Sequence, residues 1–129
     1  MNELGKRAVA CKAWRELEGM AGVDECGTSF RYSSSGYWVC LFQGEDRLYP
    51  TGEVLPDFTD PLTALALLVL VREAYKMPSM FVRCEHDGLW RVCWSDGKFS
   101  TAVLWAASAK TEVEALLNAL EVAPCEETP

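Results

Sequence analysis

The sequence predicts an α+β fold, a single domain with the order α-β-β-α-β-β-β-α. A mostly antiparallel sheet is expected to be layered with three helices in an α-β-α sandwich. Three observations carry this expectation. Residues 55–76 hold the most apolar run of the chain behind a clear helix start, Asp60-Pro61. Residues 80–105 alternate apolar and polar side chains and are interrupted at His86-Asp87-Gly88 and Asp96-Gly97, both of which read as hairpin turns. Thr111-x-x-Glu114 then opens a last helical pattern as a capping box. With 129 residues, 50% of them hydrophobic, the chain has material for one core. The domain is expected to span residues 1–123, with residues 124–129 as a frayed acidic tail.

The elements follow in order. Residues 3–21 read as the first helix, because Leu4, Ala8, Cys11, Trp14, Leu17 and Met20 recur at spacings of three and four. Gly19 and Gly22 mark its end. Residues 29–42 read as a hairpin with Ser34-Ser35-Gly36 at its tip. That turn pairs Tyr32 with Trp38 and Phe30 with Cys40. One face then carries Phe30, Tyr32, Trp38, Cys40 and Phe42. Residues 43–59 form a long connection broken by Pro50, Gly52 and Pro56. Tyr49, Leu55 and Phe58 suggest that it is pinned to the core. The central helix carries Leu62, Leu65, Ala66, Val69 and Leu70 at helical spacing. Leu67, Leu68 and Val71 fill its other faces, so it should be buried on several sides.

Three strands should follow. The first turn places Met80, Val82, Cys84, Trp90, Val92 and Trp94 on one face. The Asp96-Gly97 turn pairs Trp94 with Phe99, Val92 with Thr101 and Trp90 with Val103. Phe99, Val103 and Trp105 then join that face, which the central helix is expected to cover. The last helix, residues 111–122, buries Val113, Leu116, Leu117 and Leu120 and ends before Pro124.

Charge excludes some functions and permits others. The formal net charge is −7, so direct nucleic-acid binding and attraction to anionic membranes are disfavoured. No targeting segment is read at the start, and the apolar run at residues 64–71 is shorter than the ~20 residues that span a bilayer. A cytoplasmic protein is expected. Cys11, Cys26, Cys40, Cys84, Cys93 and Cys125 include no C-x-x-C pair and are expected to be reduced thiols, mostly in the core.

Catalytic motifs are absent from the sequence. His86 is the one histidine and falls in a turn, and no phosphate loop, dinucleotide fingerprint or nucleophile elbow occurs. No catalytic residue, cofactor or metal is therefore assigned. Glu45, Asp46, Glu53, Asp57 and Asp60 make the long connection acidic, but their spacing fits no calcium loop. Residues 61–111 share the α-β-β-β-α order of double-stranded-RNA-binding domains. The last helix, however, opens with Lys110 as its one lysine, which disfavours a phosphate grip.

The motif L-P-D-F-T-D-P-L-T at residues 55–63, with L-V-R-E-A-Y at 70–75 and T-E-V-E-A-L-L-N-A-L-E-V-A-P at 111–124, resembles small phage and prophage proteins of the phage ABA sandwich type. The early A-V-A-C-K-A-W is compatible with that pattern. Where that family opens the central helix with glycines, this chain has Leu62-Thr63-Ala64-Leu65. The resemblance implies an α-β-α layered domain of phage origin and brings no catalytic residues with it. The function expected is an accessory protein that binds a host protein or nucleoprotein complex with a basic surface, most specifically an anti-defence inhibitor of the anti-CRISPR kind. Glu45, Asp46, Glu53 and Asp57 are the expected contacts. A small-ligand module and a self-associating phage component are the alternatives.

Overall fold

The computed structural model of the chain describes residues 3–40, 50, 52–95 and 103–123. Among these, three helices and seven strands occur: α1 (Glu3–Val9), β1 (Ala21–Val23), β2 (Ser29–Tyr32), β3 (Trp38–Cys40), β4 (Leu55–Pro56), α2 (Pro61–Tyr75), β5 (Phe81–Cys84), β6 (Trp90–Ser95), β7 (Val103–Ala109) and α3 (Glu112–Glu121). The fold is α+β, in the expected order, with two short strands, β1 and β4, beside the first hairpin. The strands divide into two antiparallel sheets, β3-β2-β1-β4 and β5-β6-β7.

The first hairpin has the predicted register, Phe30 opposite Cys40 and Tyr32 opposite Trp38. Gly36 takes a φ of +91°, which closes the three-residue loop. Phe30 is fully buried, while Tyr37 and Val39 on the other face are exposed. Trp38 lies over Gly22 of β1, where even a methyl group would meet its ring at 2.9 Å.

The first helix is much shorter than expected. It ends at Val9, and Cys11 N–H donates to the Ala8 carbonyl in a tightened last turn. Residues 12–20 have other partners. Trp14 meets Phe58 edge-on at 6.2 Å, and Gly19 and Met20 exchange backbone hydrogen bonds with Tyr32. Trp14, Leu17 and Met20 still reach the core, as the apolar stripe implies, but from an irregular segment.

Asp60 caps α2 as predicted, accepting from Thr63 N–H at 3.1 Å, with Pro61 in the first turn. The burial of α2 differs from expectation. Thr63, Leu67, Leu70 and Val71 form its buried face, whereas Leu62 is 57% exposed, Leu65 59% and Val69 39%. One apolar stripe therefore faces outward.

The β5–β6 hairpin has the expected turn and pairs Val82 with Val92 and Cys84 with Trp90. Met80 and Val92 are fully buried, but Cys84 is exposed. The β6–β7 register is not the predicted one. Trp90 lies opposite Ala109, Val92 opposite Ala107 and Trp94 opposite Leu104, with an irregularity between Val92 and Cys93. Phe99 and Thr101 lie outside the described residues, as do residues 41–49 and 124–129. The helix that covers this sheet is α3, not α2. The capped α3 (Thr111 Oγ1 accepts from Glu114 N–H) buries Ala115, Leu116, Leu117, Ala119 and Leu120 against all three strands, and α2 packs on α3 from elsewhere.

Candidate functional site

The β1–β2 turn is built on Asp24. Its Oδ1 accepts from Cys26 N–H at 3.0 Å and Thr28 N–H at 2.9 Å, and Gly27 closes the turn at a φ of +82°. This buries the Asp24 carboxylate and turns Glu25 outward. The Glu25 carboxylate lies directly over Gly52, whose φ of +73° and missing Cβ leave room for it. Glu53 follows on the approach to β4, and Leu55 opens that strand. Together with Val23 and with Lys6 from α1 they line a cleft of about 580 Å³. Val23 and Leu55 thus supply apolar lining, Glu25 and Glu53 exposed carboxylates, and Lys6 an ammonium.

The predicted contacts separate in the structure. Glu53 is exposed and lines this cleft. Asp57 has a structural role, its Oδ1 accepting from Thr59 N–H at 3.0 Å and Thr59 Oγ1 at 2.6 Å, while its own N–H donates to the Ala21 carbonyl. Glu45 and Asp46 lie outside the described residues. Asp24 and Glu25 were missed. Asp24 followed by Gly27 is a turn signal, but β1 is only three residues long and carries no alternation that would mark a strand before the turn.

Asp60 is also structural. Arg31 Nη1 donates to its Oδ2 at 3.1 Å and to the Gly19 carbonyl at 2.7 Å. Thr63 Oγ1 donates to the same Oδ2 and accepts from Ala21 N–H. Burial alone would raise the Asp60 pKa, but hydrogen bonds from Arg31 and Thr63 outweigh it and hold the group below the ordinary carboxylate value.

Other chemistry is sparse. His86 is exposed in its turn, as expected. Among the described residues no three His, Cys, Asp or Glu side chains are placed to hold a metal ion. None of the five described cysteines is in a disulfide. Cys40 and Cys93 are buried, whereas Cys26 and Cys84 are exposed, which corrects the placement of Cys84 on the covered face of its strand. Burial pushes the Cys93 thiol up, away from nucleophilic chemistry. No helix of the described residues is long and apolar enough to cross a membrane.

A second surface is the outward stripe of α2. Beyond Leu62, Leu65 and Val69 it runs into a shallow groove lined by Val69, Arg72, Glu73, Lys76 and Pro78. No family model matches the chain, and neither a curated protein nor a solved structure matches it.

Proposed function

We propose that this chain is a phage-derived accessory protein that works in the host cytoplasm by binding a host protein, without catalysis, and most specifically by inhibiting a defence complex. The acid-lined cleft carries this reading. Glu25 and Glu53, both exposed, line one cleft with Lys6 on a chain of net charge −7, an arrangement suited to a lysine or arginine projecting from a basic surface. Glu25 and Glu53 are exposed, so they contribute to partner encounter and discrimination rather than to the fold. The resemblance of residues 55–63 and 111–124 to phage ABA sandwich proteins supports the origin.

The test is a pull-down from host lysate with and without nuclease, using the wild type and a Glu25→Gln/Glu53→Gln variant. A stoichiometric partner that survives nuclease treatment and is lost with the variant is the expected result. Association should also slow as salt rises, since charges are screened over ~10 Å at 0.1 M. Capture that depends on nucleic acid, or that ignores the double substitution, would remove the cleft from the interface.

The cleft also falls within the ~300–1,000 Å³ range of small-molecule sites, which favours a cationic ligand as the second reading. A thermal shift with a small amine, together with no captured protein, would select it.

A further inference from the structure

We infer that the cleft beside β1, β4 and α1, taken as the binding site proposed above, selects a ligand with opposite charges at the two ends of an apolar stem: an ω-amino acid, free or as the lysine that ends a chain. Val23 and Leu55 are register partners in the β1–β4 pair, so their side chains stand together on one face. Glu53 and Leu55 both line the cleft, while Val54 between them is buried. The Glu25 carboxylate crosses to the same segment and lies over Gly52. α1 packs against β4 and adds Lys6 to the lining.

The charges in the cleft do not cancel one another. Among the described residues no ion pair joins Lys6 to Glu25 or Glu53, and neither carboxylate has a hydrogen-bond partner. Lys6 meets Glu3 at 4.0 Å, with both side chains more than half exposed, a pairing too long and too wet to hold it. Asp24 takes no part, since its carboxylate is turned onto the N–H groups of Cys26 and Thr28. A simple cation would satisfy Glu25 and Glu53 but be repelled by Lys6, and a simple anion would meet the reverse. A ligand that sets an ammonium at the two carboxylates, a carboxylate at Lys6 and its methylenes against Val23 and Leu55 answers all of them at once. A lysine inside a chain lacks the second charge, whereas a lysine at the C-terminus carries both.

Titrating the nitrogen-labelled full chain with ε-aminocaproate, pentylamine and hexanoate tests this, read as amide shifts at residues 23–27 and 52–55. ε-Aminocaproate should bind about threefold or more tighter than pentylamine, with hexanoate the weakest. Lys6→Gln, at an exposed position, should keep the fold and pentylamine binding but abolish that preference. Lys6→Glu should reverse it, so that cadaverine, with an ammonium at each end, becomes the better ligand. A short peptide ending in lysine separates the two sources. Binding that is tighter with a free than with an amidated end, and tighter than that of ε-aminocaproate, assigns a chain terminus; the opposite order assigns a free ω-amino acid. Equal affinity for ε-aminocaproate and pentylamine, or a preference that survives Lys6→Gln, would overturn the inference and leave the cleft a plain cation site. No shift at these residues with any probe would overturn both the inference and the cleft as a binding site.

Discussion

Asp60 shows how a single residue holds several elements. It caps α2, bonds Arg31 on β2, and through Thr63 reaches the backbone of Ala21 on β1. Asp60→Ala removes all three links. It should cost about 1–3 kcal/mol, from the lost cap and the donors left in a partly buried site. Asp60→Asn keeps the cap and should cost less. The folded pKa is depressed, so the unfolded chain binds the proton first as pH falls. The stabilisation is complete above the unfolded value near ~3.9 and is lost as pH drops through the folded one. Urea melts at successively lower pH should show the gap between wild type and Asp60→Asn narrowing once the pH falls below the unfolded value. A constant gap would mean that the carboxylate charge contributes nothing. The cap was legible in Asp60-Pro61, because capping is local. Its partner Arg31, 29 positions away, was not, because nothing in local spacing joins a hairpin residue to a helix start.

At the level of elements, local turn chemistry was readable where the turn itself decided the pairing. Ser34-Ser35-Gly36 and His86-Asp87-Gly88 each led to the observed register. Asp96-Gly97 did not, although it is the stronger signal. Residues 101–109 are apolar or small almost throughout, so alternation could not reject a shifted ladder. In the observed ladder Ala107 and Ala109 lie opposite Val92 and Trp90 and pack against the core that α3 completes. Small residues there let the helix approach closely. Ala107→Leu should therefore overpack this layer and cost about 1–3 kcal/mol, measured by chemical denaturation. In the register read from the Asp96-Gly97 turn, Ala107 would lie past the end of the ladder and the same change would be near neutral. Val92→Asp probes the face alone: it buries an unpaired charge at a fully buried position and should abolish cooperative folding or cost several kcal/mol.

At the scale of the whole molecule, the chain is organised around α3. Polar bonds reach it from α1, α2 and β7. Arg7 on α1 donates to Asn118 and Glu121, Tyr75 on α2 donates to the Ala119 carbonyl, and Asn118 donates to the Ser108 carbonyl on β7. Its apolar residues are buried nearly without remainder. Hydrophobicity alone pointed to α2 instead, because composition measures how apolar a helix is and not which of its faces finds a neighbour. The two views separate on a pair of truncations of equal chemistry. Leu117→Ala removes a fully buried side chain between α3 and its surroundings and should cost about 2–5 kcal/mol. Leu65→Ala removes one that is 59% exposed and should change stability by under about 0.5 kcal/mol. Both are read as denaturation midpoints. Equal costs, or a larger cost at Leu65, would place the outward stripe of α2 in the core, and the central role of α3 would fall with that result.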